Sequence, residues 1–273
     1  LGWKRVEICY NLIMRAIIGI ITNNSEILPG VHLLEVRAEQ VARAARAGQY
    51  CMLRGADQLA GDPLLRRPFF VAEVDSVRGV CRFLVYARGR VASWLARQQP
   101  GMELDLLGPL GHGWMLRPET RNLLLLGEDP LLASLLLLTA QALENELAVT
   151  LIHCVAGVEQ AYPAALLPPE VEYQVFALSG EQEKQGERLA GQLGEYLAWA
   201  DAVCCSLSAR TLALLARGEG RWREKHFVQA VVERPLLCVT GGCLGCQVET
   251  RSGPRLVCRD GPVFALRDLV EEG

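Results

Sequence analysis

The fold is decided by two stretches near the C-terminus, CVTGGCLGC at residues 238–246 and VCRDGPVF at residues 257–264. Their cysteines are Cys238, Cys243, Cys246 and Cys258. The spacing, C-x4-C-x2-C-x11-C, is the plant-type pattern of [2Fe–2S] ligands, in which one tight loop supplies three thiolates and a later segment the fourth. Three glycines in the loop let the backbone approach a cluster closely. The pattern predicts a metal site made of these four thiols and, with it, electron transfer.

Zinc is the main alternative, because four cysteines in one protein often hold a structural zinc ion. Zinc ligands usually come in two C-x2-C pairs, whereas this chain has one such pair, preceded by a C-x4-C step. The pattern favours the iron–sulfur cluster, and a site without metal is the third possibility. Disulfides are not expected, since the six other cysteines stand in apolar contexts that are typical of buried thiols.

Composition excludes several classes of function. Hydrophobic residues make up 51% of the 273 residues and charged residues 22%, which indicates a folded protein with a large core. The formal net charge is -3, and no basic stripe indicates a nucleic acid or an anionic membrane as a partner. No apolar run approaches the ~18 residues of a membrane span, and the start does not read as a signal peptide. We therefore expect a cytoplasmic protein, with residues 1–13 as an N-terminal extension.

Short strands separated by turns predict a small antiparallel barrel over residues 14–118. The predicted strands are 16–22, 31–37, 49–53, 69–74 and 81–87, and the turn signals between the first two are Asn23-Asn24-Ser25 and Pro29-Gly30. One short helix is predicted over residues 91–98.

From residue 119 to residue 233 the pattern alternates between strand and helix. Strands are predicted at 122–126, 148–154, 172–177 and 202–206, and helices at 131–143, 182–199 and 209–217. Repeated strand–helix–strand units imply an open parallel sheet with helices on both faces. The predicted fold class is therefore β + α/β, with an N-terminal antiparallel barrel, a central parallel α/β domain and a small cysteine module over residues 234–273.

This order of domains resembles the ferredoxin-reductase superfamily, in which the barrel holds a flavin and the α/β domain a pyridine nucleotide. The features that carry the resemblance are RPF at 67–69, GPLG at 108–111, which closes the barrel, and the four cysteines leading into DGPVF at 260–264. With those cysteines, the chain resembles the electron-transfer subunits of class 1B dihydroorotate dehydrogenases over nearly its whole length.

The resemblance implies FAD in the barrel, NAD(H) on the α/β domain and a [2Fe–2S] cluster at the four cysteines. It also implies a separate FMN-containing catalytic subunit that interconverts dihydroorotate and orotate, so no catalytic residue is expected in this chain. The residues that match the family's flavin-binding segments are Arg67, Pro68, Phe69, Phe70, Leu84, Val85, Tyr86, Val91 and Ala92. Arg67 suits a flavin diphosphate, because the planar guanidinium binds phosphate oxygens in pairs.

Both nucleotide sites depart from the family's pattern. Phe70 stands where the family has a serine, and Val91-Ala92 replaces a Gly-Thr pair at the start of a helix, so the sequence leaves FAD binding open. GEDP at 127–130 replaces the family's glycine-rich loop, in which a pyrophosphate rests on backbone N–H groups. Because carboxylates repel phosphate, we expect little direct NAD(H) binding.

Two alternatives to electron transfer in pyrimidine biosynthesis stay open. One is a non-catalytic assembly or sensing module whose flavin and nucleotide sites have decayed. The other is a related oxidoreductase subunit that delivers electrons to another acceptor.

Overall fold

The computed structural model describes residues 16–57, 60–178, 182–218 and 227–270. The predicted N-terminal extension, and Cys9 within it, lie outside the described residues. The cysteines other than the four of the predicted metal site are buried wherever they are described, as the sequence predicts. Among the described helices, none is both long and apolar enough to cross a bilayer.

The N-terminal part is a closed barrel of antiparallel strands, which confirms the prediction. Its strands are β1 (Ala16–Leu28), β2 (Val31–Arg37), β3 (Tyr50–Leu53), β4 (Arg67–Asp75), β5 (Val80–Tyr86) and β6 (Glu103–Leu110). They close in the order β1-β2-β5-β4-β3-β6. Two helices accompany the barrel, α1 (Glu39–Ala44), which the sequence does not predict, and α2 (Gly89–Ala96).

Strand β1 is longer than predicted, because the Asn23-Asn24-Ser25 turn signal lies inside it. These residues pair with β2 beyond a β-bulge. The Asn24 side chain donates to the carbonyls of Leu95, Ala96 and Gln98 at 3.1, 3.2 and 2.7 Å. The asparagine therefore satisfies carbonyls at the end of α2, which the helix itself leaves without partners, and does not make a turn.

The central part is a parallel sheet, also as predicted. Its strands are β7 (Asn122–Glu128), β8 (Ala148–Val155), β9 (Glu172–Ala177), β10 (Ala202–Ser206) and β11 (Phe227–Val231), and its helices are α3 (Ala133–Glu144), α4 (Gln182–Trp199) and α5 (Ala209–Gly218). The strand order is β11-β10-β7-β8-β9, and all neighbours are parallel.

Alternate leucines of β7 show that helices cover both faces of this sheet. Leu123 and Leu125 are buried in the core that includes α3 and extends into the barrel. Leu124 and Leu126 are buried in a second core with side chains of α4 and α5. The Trp114 indole Nε1–H donates to the carbonyl of Ser134 in α3 at 2.9 Å. The barrel and the α/β domain therefore pack on one shared core.

The cysteine module contains short elements. They are β12 (Gln247–Val248), β13 (Arg255–Leu256), α6 (Val257–Asp260) and β14 (Val263–Ala265). Strand β14 pairs antiparallel with β11 and so becomes the sixth strand of the central sheet. This pairing fixes the cysteine module against the α/β domain and beside the barrel.

Candidate functional site

The four cysteines form two pairs, which differ in exposure. The backbone N–H of Cys243 donates to Sγ of Cys238 at 3.4 Å, and the N–H of Cys258 donates to Sγ of Cys246 at 3.5 Å. Cys246 and Cys258 are 2% and 6% exposed, whereas Cys238 is half-buried and Cys243 is exposed. We call Cys238 and Cys243 the outer pair, and Cys246 and Cys258 the inner pair.

Left-handed backbone curls the loop that carries three of these cysteines. Val239, Gly241 and Leu244 have φ values of 52°, 81° and 56°. A Cβ at Gly241 would lie 2.5 Å from Cδ of Arg259, so this position accepts only glycine without a shift of the arginine. The curled backbone turns N–H groups toward the sulfur atoms, which is the arrangement that stabilises thiolates.

One cysteine of each pair has a shifted pKa, and the two shifts have opposite directions. The pKa of Cys238 falls to about 6, because the backbone N–H of Cys243 and the Thr240 hydroxyl stabilise the thiolate. Burial, together with contact with Cys246, raises the pKa of Cys258 to about 12. Since metal and cluster ligands are thiolates, Cys258 must release a proton when it binds, whereas Cys238 is already ionised near neutral pH.

The arrangement suits a binuclear cluster better than a single ion. Within the described part of the chain, no three side chains among His, Cys, Asp and Glu converge closely enough to hold one metal ion. A structural zinc site gathers four ligands around one ion. A [2Fe–2S] cluster needs four cysteines distributed over two irons, which two separate pairs can supply.

A cleft of about 880 Å³ lies where the barrel, α2, the start of the α/β domain and the cysteine module meet. The predicted flavin residues that line it are Arg67, Pro68, Phe69, Phe70, Leu84, Tyr86, Val91 and Ala92. Val85 does not line the cleft, because alternation along β5 turns this side chain into the core, where it is fully buried.

Two features of the cleft fit a diphosphate. Arg67 is exposed, and the one hydrogen bond described for its guanidinium goes to the carbonyl of Arg66 at 3.2 Å. Helix α2 begins at Gly89 without a side-chain cap, and no atom lies within 4 Å of the Cβ that another residue would have there. The helix N-terminus therefore keeps backbone N–H groups and open space for an anion.

Several cleft residues escape prediction from the sequence. They are Tyr50, Pro130, Leu236, Val257 and Pro262. They come from the barrel, the α/β domain and the cysteine module, and their local sequence does not indicate that they share one site. Only the packing of the three parts brings them to one cleft.

The acidic loop at residues 127–130 begins within the end of β7, which is two residues longer than predicted, and its carboxylates already have partners inside the chain. Glu128 Oε2 accepts the backbone N–H of Ser208 at 2.9 Å, next to the start of α5. Asp129 Oδ1 accepts a hydrogen bond from the Tyr86 hydroxyl and lies 3.1 Å from Nε2 of His153. Burial raises the pKa of Tyr86, and the nearby Asp129 carboxylate raises it further, so the phenol keeps its proton.

The imidazole of His153 is held in one tautomer. The backbone N–H of Tyr162 donates to Nδ1 of His153 at 3.2 Å, so the ring proton lies on Nε2 and points to Asp129.

The glycine of the acidic loop, Gly127, is needed for packing. A Cβ at Gly127 would lie 2.6 Å from the Leu132 side chain at the start of α3. The loop does not fit a pyrophosphate resting on backbone N–H groups.

Comparison with known proteins agrees with this architecture. Residues 233–270 match the family described as the iron–sulfur cluster binding domain of dihydroorotate dehydrogenase B. The chain is 29% identical over 248 residues to the dihydroorotate dehydrogenase B (NAD(+)) electron transfer subunit of Geobacillus thermodenitrificans (strain NG80-2), covering 87% of this chain and 91% of that protein. The Bacillus cereus (strain B4264) subunit of the same name is 27% identical over 92% of this chain and 97% of its own length.

Solved structures show the same fold. An NADH-dependent reduced ferredoxin-NADP oxidoreductase superposes with a TM-score of 0.75 at 18% identity, covering 90% of this chain and 87% of that one. The ferredoxin reductase of carbazole 1,9a-dioxygenase superposes with a TM-score of 0.60 at 18% identity, covering 80% and 69%. Over most of its length this chain is similar to the dihydroorotate dehydrogenase B electron-transfer subunits, its residues 233–270 match their iron–sulfur cluster binding domain, and its fold is that of the ferredoxin reductases.

Proposed function

We propose that this chain is the electron-transfer subunit of a dihydroorotate dehydrogenase. It passes electrons between a pyridine nucleotide or FAD and a separate FMN-containing catalytic subunit, through a [2Fe–2S] cluster, in pyrimidine biosynthesis. The curated relatives bear the subunit's name, and the similarity extends over 92% of this chain for one of them.

One observation carries the proposal: the cysteine module contacts the cleft on one side and solvent on the other. Leu236 and Val257 line the cleft, and Val257 directly precedes Cys258 of the inner pair. Cys243 of the outer pair is exposed. A cluster between the two pairs would therefore have one end near the flavin-type cleft and the other end near the surface.

The chain's own residues would bind and shield the carriers. FAD and the cluster would supply the conversion between electron pairs and single electrons. Arg67 and the N-terminus of α2 are placed to hold the diphosphate. Phe69 and Phe70 provide apolar walls that exclude water from the cleft. The N–H groups directed at the cysteine sulfur atoms would stabilise negative charge there.

Exposed apolar side chains on the cysteine loop support contact with a partner subunit. Leu244, next to Cys243, is 59% exposed, and Leu237, next to Cys238, is 49% exposed. Large apolar groups beside an exposed ligand favour a protein surface that would cover the outer pair during electron transfer. A non-catalytic assembly module is not favoured, because the cleft keeps groups that fit a diphosphate.

The test uses anaerobically purified protein. We expect FAD and equal amounts of iron and acid-labile sulfide, with electrons delivered to an added dihydroorotate dehydrogenase catalytic subunit. Stoichiometric zinc without iron would contradict the cluster, and with it the proposal. A loaded protein that cannot reduce or oxidise that catalytic subunit would identify the related oxidoreductase with another acceptor.

A further inference from the structure

The hydroxyl of Tyr50 is buried without a partner. Tyr50 is 1% exposed, and within the described part of the chain its hydroxyl makes no hydrogen bond. Leaving a buried polar group unsatisfied costs roughly 1–3 kcal/mol. A hydroxyl in this state therefore indicates a partner that is bound when the protein works.

The surroundings of Tyr50 identify the kind of partner. Tyr50 packs in one buried cluster with Cys246, Cys258 and Val257. It also lines the cleft that we assign to the flavin. The side chain therefore lies between the cleft and the inner pair of cysteines, and Cys258 and Cys246 are the two nearby groups that act most strongly on its hydroxyl through electrostatics.

The ring is held in this position by its neighbours. Phe70 meets it edge to face, with ring centroids 6.5 Å apart and an interplanar angle of 79°. Gly111 passes so close that a Cβ there would lie 2.9 Å from Cε1 of Tyr50. The aromatic contact and the close backbone restrict the ring, so the hydroxyl cannot turn freely toward solvent.

We propose that the Tyr50 hydroxyl donates a hydrogen bond to the sulfur atoms held at Cys246 and Cys258, and that it thereby raises the reduction potential of the cluster. The inference rests on the proposed function, since it requires a cluster. Reduction adds one negative charge to the cluster, and a hydrogen-bond donor stabilises the reduced form more than the oxidised one. Tyr50 then tunes the reduction potential through this hydrogen bond and has no role as an acid or base.

The test is Tyr50→Phe in the loaded protein, without the catalytic subunit. An EPR-monitored redox titration should show reduction of the cluster about tenfold less favourable, a fall in potential of about 59 mV for a one-electron couple. Tyr162→Phe is the matched control. Tyr162 is 3% exposed and its hydroxyl also has no described partner, but Glu73 and Arg82 are the charged groups near it. The control should leave the cluster potential unchanged.

A second measurement separates this role from packing. Tyr50→Phe should leave the stability of the apoprotein unchanged or slightly raised, and should lower the stability of the loaded protein. An unchanged cluster potential in Tyr50→Phe would overturn the inference, and so would a shift confined to the flavin potential, because the hydroxyl would then serve the flavin. Wild-type protein without iron would instead refute the proposed function, before the variant is measured.

Discussion

The cysteine loop at residues 238–246 and the acidic loop at residues 127–130 both bring backbone N–H groups to anionic atoms, but with opposite results. In the cysteine loop the acceptor is Sγ of Cys238, which is itself available to a metal. In the acidic loop the acceptor is the carboxylate of Glu128, which takes the N–H of Ser208. The cysteine loop thus holds thiols ready for a cluster, whereas in the acidic loop the Glu128 side chain lies where a bound anion would lie.

The difference shows that a loop can keep its place in the fold and still lose its ability to bind a ligand. Residues 127–130 lead from β7 to α3, and residues 238–246 lie between β11 and β12. In these two loops, the group that accepts the hydrogen bonds of the backbone N–H groups decides whether an external ligand can bind.

The largest effect is expected for Cys246→Ser. A hydroxyl is a poor substitute for a thiolate of the inner pair, so the cluster should be lost and the visible absorption and the EPR signal of the reduced protein should disappear. Cys81→Ser is the control, because Cys81 is buried in the barrel, where its Sγ–H donates to the carbonyl of Val36. If Cys246→Ser keeps a full cluster, the assignment of the ligands is wrong.

A smaller effect is expected for Arg67→Ala at the cleft. Loss of a charged hydrogen bond to a phosphate costs about 2 kcal/mol, or roughly 30-fold in FAD affinity, while the cluster should remain. Arg66→Ala is the matched control, since Arg66 pairs with Asp105 and does not line the cleft. Flavin titration followed by fluorescence measures both variants. Equal FAD affinity in Arg67→Ala and wild type would remove the arginine from the site.

The acidic loop predicts weak binding of NADH to the isolated protein, without saturable reduction at micromolar NADH. Glu128→Ala should raise NADH affinity about tenfold, because it frees the N–H of Ser208 and removes a negative charge. Glu144→Ala, at an exposed residue of α3, changes the net charge equally and should have no effect. Rapid bleaching of the wild type by micromolar NADH would show that the nucleotide does not need this loop.

The sequence predicts those features of the fold that local patterns encode. Strands of the barrel and the sheet appear as apolar runs, and the cysteine spacing selects the four thiols that the structure arranges in two pairs. The sequence also places Glu128 and Asp129 where a glycine-rich loop would be. It does not reveal that Glu128 binds Ser208, because that contact joins residues 80 positions apart.

Long-range contacts also explain what the sequence does not predict. Tyr50 is one residue in a buried strand, and only the docking of the cysteine module places it beside Cys246 and Cys258. Asn24 belongs to a run typical of turns, yet it remains in a strand because its amide meets carbonyls of α2 about 70 residues later. Local propensity gives way where a distant group supplies the hydrogen bonds.

The smallest effect is expected for a third carboxylate, that of Glu35 on the barrel wall, which is also held by groups of the chain itself. Burial alone would raise its pKa, but the Thr22 hydroxyl at 2.7 Å and the guanidinium of Arg82 outweigh burial, and the pKa is lowered. A lowered folded-state pKa means that the contribution to stability is present above the unfolded pKa of about 4.3 and is lost as pH falls through the folded value.

Glu35→Gln should therefore lower the free energy of unfolding at pH 7 by on the order of 1 kcal/mol. The gap between wild type and variant should close below pH 4, as measured by urea unfolding at several pH values. A gap that stays constant down to acid pH would mean that Glu35 contributes by packing and not by its charge.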